Sequence, residues 1–176
     1  GPADTLPTEL AAALLKNGIG VVGVDLFAQG DMAPADGPLT EMPVVPGQRP
    51  VAALTYGYNR TAVAHRASDL LATIAAAKTL QPSIKKIVVI VAPEAAPYAV
   101  AALAVAGDAV DAAVIDTGGF RFDDLRSWRH PNFLPGSVKY GDVPGLLALG
   151  APRPTILLSE PADDTPSIAT QAYAAA

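Results

Sequence analysis

The chain has no cysteine, which removes disulfides, thiol nucleophiles and thiolate metal sites together. Imidazole is nearly as scarce. Among 176 residues only His65 and His130 supply it, far apart, so no zinc site is expected. Cations are few as well, 12 Lys and Arg against 17 Asp and Glu, for a net charge of −5. Binding a phosphate backbone needs clustered Lys and Arg, and the one basic pair of note, Lys85-Lys86, sits where a strand begins. Nucleic acid is therefore not an expected partner. No apolar run reaches the roughly 18 residues of a membrane span, so no membrane segment is expected either. Gly1-Pro2 reads as the remnant of a tag-cleaving protease site, which leaves the compartment open.

What the chain does have is apolar residues, 51% of the total, with alanine prominent. At this length they suffice for the core of a single domain spanning residues 1–176. Helical and strand-like stretches alternate, which predicts an α/β fold with a mainly parallel sheet. Residues 7–17 read as a helix stopped at Gly18, and Ile19–Leu26 as a buried strand interrupted by Gly20 and Gly23. The Pro- and Gly-rich segment 27–59 reads as a long loop with an extended piece at Val51–Thr55. A strong helix follows, capped by Asn59 or Thr61 and ended by Gln81-Pro82-Ser83. Lys86–Val91 is the second strand, Val110–Asp116 the third and Thr155–Ser159 the fourth. Helices are expected from Pro97 to Gly107, over Val143–Leu149 and from Ser167 onward. Residues 120–143 form a loop holding Phe120, Phe122, Trp128, Phe133 and Tyr140.

The passage from Lys86–Val91 into the next helix is a strand, a sharp turn and a helix. The same order houses the G-x-S-x-G nucleophile elbow of α/β-hydrolases. Here the apex reads Val91-Ala92-Pro93-Glu94-Ala95, without serine or flanking glycines. Proline has no nucleophilic atom, so Pro93 cannot attack an acyl carbon.

Taken in order, Gly20–Gly30, Tyr58-Asn59-Arg60, Arg66–Asp69, this turn, Asp116-Thr-Gly-Gly-Phe-Arg-Phe122 and Leu158-Ser-Glu-Pro-Ala-Asp-Asp164 resemble bacterial α/β-hydrolases, acetyl-xylan-esterase-like and dienelactone-hydrolase-like proteins above all. The resemblance implies a three-layer αβα fold, truncated to an open sheet of about four strands that match the family's fourth to seventh. The family's third strand lies between its fourth and fifth. Either Ile19–Leu26 pairs directly with Lys86–Val91, or another chain fills the gap, since an empty slot leaves backbone groups unpaired. The catalytic histidine of the family follows an eighth strand that has no counterpart here. Its acid follows the seventh strand, which brings Asp163 or Asp164 to that place.

Each candidate also has a plain structural reading. Asp163 and Asp164 suit the positive N-terminal end of the helix that begins near Ser167. Glu94 suits the same role at its own helix. His130, in the aromatic loop, has no serine yet placed against it, and His65 lies within a helix beside Arg66. None of Ser68, Ser83, Ser127, Ser137, Ser159 and Ser167 falls on a strand-to-helix turn. Thr117-Gly118-Gly119 lacks the G-x-G-x-x-G pattern and the lysine of phosphate loops. The Asp25…Gly30-Asp31 stretch reads as a turn after a strand, and Arg66 with Asp69 as a structural pair.

The expected function is thus a degenerate, non-catalytic α/β-hydrolase-like module with a structural, binding or assembly role. It would have no cofactor or metal, and its exposed sheet edge points to a homo-oligomer or to completion by another chain segment. Two alternatives remain open at this stage. One is a carboxylesterase whose missing triad members come from another chain or region; the other is a flavodoxin-like cofactor binder with its ligand at the carboxyl ends of the strands.

Overall fold

A computed structural model describes residues 8–160 and 167–176. The chain divides into two compact units, Gly1–Leu39 and Thr40–Ala176.

In the smaller unit, α1 (Thr8–Lys16) ends as expected at Gly18. Gly18 has φ 73°, donates its N–H to the Leu15 carbonyl, and is followed by an Ile19 N–H bonded back to Leu14. This is the left-handed helix stop that glycine favours. Ile19–Leu26 joins no strand ladder among the described residues, which corrects the expectation of a strand there. An apolar run becomes a strand only when a neighbour accepts its backbone hydrogen bonds, and Gly20 and Gly23 weaken its preference further. The turn reading of the following stretch holds. The Asp25 carboxylate accepts the Asp31 N–H at 2.9 Å. Gly30, at φ 52°, lies so close to that carboxylate that a Cβ would collide with it.

The larger unit begins its regular structure with α2 (Ala52–Tyr56), where an extended piece was expected. Ala52, Ala53 and Leu54 are strong helix formers, and they outweigh the β-branched residues Val51 and Thr55 at the ends. Helix α3 (Ala62–Leu80) matches its expected bounds closely. Thr61 is its N-cap, with the Ala64 N–H donating to Oγ1 at 3.1 Å. Val63, Ala67 and Ile74 are buried, as is Arg66, whose guanidinium lies 5.7 Å from the Tyr98 ring centre. Burial lowers the pKa of Arg66, and the nearby Tyr98 opposes that shift.

The sheet has three strands, β1 (Val88–Val91), β2 (Ala112–Asp116) and β3 (Thr155–Leu158), parallel and in that spatial order. Ile90 pairs with Val114, and Val114 with Ile156. Helix α4 (Ala96–Val105) connects β1 to β2, α5 (Asp142–Leu149) precedes β3, and α6 (Ser167–Ala175) follows it. An α/β fold with a small parallel sheet is therefore present, with three strands among the described residues where four were expected.

Helices α3 to α6 share one buried cluster with a single set of strand residues. Ile74, Val100, Leu103, Val143, Leu147 and Ala169 lie with Val89, Val91, Ala113 and Ile115. Full burial of each larger aliphatic side chain contributes about 1.5–3 kcal/mol. The alternate residues of the same strands face the other way. Val88 is 53% exposed, Ile90 41%, Ile156 59% and Leu158 45%, with Val114 between Ile90 and Ile156 in register. Parallel sheets are normally covered on both faces. Here one face is a row of solvent-exposed aliphatic side chains.

Arg153, just before β3, is buried and fixes the far end of α4. Its Nε donates to the Val110 carbonyl at 3.2 Å, and its Nη2 to the carbonyls of Leu103 at 2.9 Å and Gly107 at 3.3 Å.

Candidate functional site

The carboxyl ends of the three strands are where ligands bind in open parallel sheets. At β1 the chain leaves through Ala92 and makes one tight turn, Pro93–Ala95, that leads directly into α4. The expected strand, turn and helix are thus in place, with Pro93 at the bend. Gly118, after β2, approaches it closely: with φ 56°, a Cβ on Gly118 would sit 2.9 Å from the Pro93 Cβ. Glycine is required at 118 on both counts. Glu94 is exposed beside Pro93, and no hydrogen bond or ion pair to described residues holds its carboxylate.

Glu160, two residues after the end of β3, supplies the carboxylate that does enter this region. Thr117 Oγ1 donates to its Oε1 at 2.6 Å, and Arg121 Nη2 meets its Oε2 at 2.6 Å. Thr117 is fully buried, and its Oγ1 also accepts the Gly119 N–H at 3.2 Å. The Asp116 carboxylate caps the same turn by accepting the Gly118 N–H at 3.0 Å. These bonds make Thr117-Gly118-Gly119 a closed turn. A carboxylate with a hydroxyl on one oxygen and a guanidinium on the other is a structural clamp, its charge already paired with a cation.

Among the described residues, no hydrogen bond or ion pair joins the sequence candidates Glu94 and His130. Asp163 and Asp164 lie outside the described residues. His130 is exposed in the aromatic loop, where its Nδ1 accepts the Asn132 N–H at 3.0 Å. The neighbouring serines are otherwise engaged: Ser127 Oγ accepts the Arg129 N–H, and Ser137 Oγ donates to the Leu134 carbonyl. His65 is half-buried in α3. No group of three or more metal-ligating side chains occurs among the described residues.

The aromatic loop is more ordered than its composition suggests. It contains two helical turns, Phe122–Asp124 and Val138–Tyr140. The Asp142 carboxylate ties the first of them to α5. Oδ1 accepts the N–H groups of Phe122 at 2.9 Å and Val143 at 2.6 Å, and Oδ2 that of Asp123 at 3.0 Å. Asp142 does this from φ 55°, a conformation that aspartate tolerates better than most residues. We expect Asp142→Ala to cost about 2–3 kcal/mol, since three backbone donors lose a charged acceptor. Asp142→Gly is expected to cost roughly 0.5–1 kcal/mol less, because glycine relieves the backbone strain. Urea denaturation of both variants measures the order.

On its other side the loop rests on α2. Tyr56 donates its hydroxyl to the Trp128 carbonyl at 2.9 Å, meets the indole edge-on with centres 6.0 Å apart, and lies 5.6 Å from the Phe133 ring. Burial raises the Tyr56 pKa, against a smaller lowering effect of Arg129. Arg129 in turn meets Glu41 at 2.7 Å and exchanges two hydrogen bonds with Met42. Between the two helical turns lies an open basin of about 400 Å³, with Trp128, Phe133, Arg126 and Lys139 among its walls.

Sequence reasoning missed Glu160, Asp142, Arg153 and this basin. The nearest signal for Glu160 was its position directly after a strand.

No family model, curated protein or solved structure matches the chain.

Proposed function

We propose that this chain is a non-catalytic, α/β-hydrolase-like module whose role is assembly, through the aliphatic face of its sheet. The observation that carries the reading is that face, with Val88, Ile90, Ile156 and Leu158 at 41–59% exposure on a parallel sheet. The partner is a second copy. The face is aliphatic throughout its central row, so it is complementary to itself, as a two-fold interface requires. Lys85 and Lys86 precede β1, and Asp116 closes β2 on the exposed side. Two copies packed with strands antiparallel bring the basic end of each over the acidic end of the other.

The non-catalytic half of the reading is supported by the bend itself. The position that holds a nucleophile in hydrolases is a proline ring packed against Gly118, and the nearest carboxylate among the described residues after β3 is clamped by Thr117 and Arg121. Loss of a nucleophile removes most of the rate in triad enzymes.

Two measurements test the two halves. Incubation with p-nitrophenyl acetate is expected to give no release above buffer, and a serine-directed fluorophosphonate no covalent label; turnover together with labelling overturns the non-catalytic reading. Sedimentation velocity over an about hundredfold dilution is expected to show a dimer that dissociates reversibly. A monomer at every concentration refutes assembly with a second copy and leaves completion by another chain segment.

A further inference from the structure

Independently of the sheet face, the basin in the aromatic loop has the chemistry of a binding site. We propose that it takes a small organic anion, an apolar or aromatic body bearing one carboxylate or sulfonate. Its volume of about 400 Å³ falls in the range of small-molecule sites, roughly 300–1,000 Å³. Its walls are preformed, because Asp142 holds the Phe122 side and Tyr56 the Trp128 and Phe133 side.

The polar groups of the basin are unbalanced. Neither the guanidinium of Arg126 nor the indole N–H of Trp128 has a hydrogen-bond acceptor among the described residues, and Arg126 has no ion pair there. Among the described residues, the ammonium of Lys139 has the Tyr140 ring as its one partner, 5.4 Å from its centre. Asp123 is the one acidic residue lining the same basin. Single exposed cations are usually just solvated. Two of them against the single carboxylate of Asp123, beside apolar walls, leave the basin net positive in a chain of net charge −5, a balance that an anion entering the basin would neutralise. The phenyl and indole surfaces of Phe133 and Trp128 then receive the body of the ligand, and Arg126 offers the planar fork that matches a carboxylate.

The probe is 4-nitrobenzoate, with 4-nitrobenzamide as its neutral counterpart, titrated into the whole chain by calorimetry and by quenching of Trp128, the only tryptophan. The carboxylate is expected to bind once per chain, at least about tenfold tighter than the amide, and to quench saturably. The double variant Arg126→Ala, Lys139→Ala is expected to lose about tenfold in carboxylate affinity with no change in amide affinity or thermal midpoint, since both side chains are exposed. Ile156→Lys, on the sheet face, is expected to leave binding unchanged, which separates this site from the assembly surface. Equal affinity for acid and amide, insensitivity to the double variant, or the absence of saturable binding overturns the proposal.

Discussion

Replacing Arg153 with alanine is expected to lower the stability of the larger unit by about 3–4 kcal/mol, the upper range for loss of a buried charged group that satisfies several partners. Arg153 is buried, and its hydrogen bonds to described residues run to backbone carbonyls, those of Leu103, Gly107 and Val110. Leu103 lies in the last turn of α4, where the helix dipole presents its negative end; its carbonyl accepts only a long bond from the Ala106 N–H, 3.4 Å, and the guanidinium adds a shorter one there and compensates the dipole. Gly107 and Val110 belong to the connection that returns the chain to β2, so one side chain fixes helix, connection and strand together. Arg153→Met keeps most of the volume but none of the donors, and is expected to fall within about 1 kcal/mol of the alanine variant if hydrogen bonding dominates over packing. Arg153→Lys reaches at most part of the set, because an ammonium lacks the planar fork. Urea denaturation gives the answer directly: the midpoint shifts while the slope stays constant. A loss under about 1 kcal/mol for alanine would mean that water replaces the guanidinium at those carbonyls.

Much of this arrangement was legible because local chemistry dictated it. Thr61 and Pro82 bracket α3, Gly18 stops α1, and the apolar runs around Val88–Val91, Ala112–Asp116 and Thr155–Leu158 each found a neighbour to pair with. Ile19–Leu26 is also rich in β-branched residues, yet it found none among the described residues, because composition records the appetite for burial and not the identity of a partner. The one-sided sheet was invisible for a related reason. β1 reads Val-Val-Ile-Val, apolar at every position, so no alternation marks which face lacks a cover. The clamp at the carboxyl end joins Thr117 and Arg121 to Glu160 across 43 and 39 residues of sequence, a separation at which pattern carries no contact information. The hydrolase resemblance points instead to Asp163 and Asp164, two residues that follow the same strand a few positions later. Asp142 was hidden because its work depends on a positive φ, which the sequence does not announce for aspartate.

The sheet face carries the other large expectation. Ile90, Val114 and Ile156 form the central row across the three strands, and Ile90 and Ile156 are 41% and 59% exposed. In an antiparallel pair of copies this row lies at the middle of the interface, where water is excluded. A lysine at position 156 then brings an ammonium from each copy into an aliphatic layer with no carboxylate in the row, and burying an unpaired charge costs several kcal/mol. At about 1.4 kcal/mol per tenfold, Ile156→Lys is expected to weaken dimerisation at least about a hundredfold. The same substitution leaves the isolated chain nearly as stable as before, because the side chain it replaces is already largely in water. This contrast is the discriminating feature. A variant that dissociates and keeps its thermal midpoint at low concentration locates the interface on this face, whereas one that loses midpoint and association together merely unfolds. Lys86→Glu probes the ends instead of the middle. It places like charge over Asp116 of the other copy and is expected to weaken association more at low salt than at high, with a smaller effect than the central lysine. Sedimentation of both variants beside the unsubstituted chain reads these outcomes, and persistence of the dimer in Ile156→Lys assigns association to a different surface.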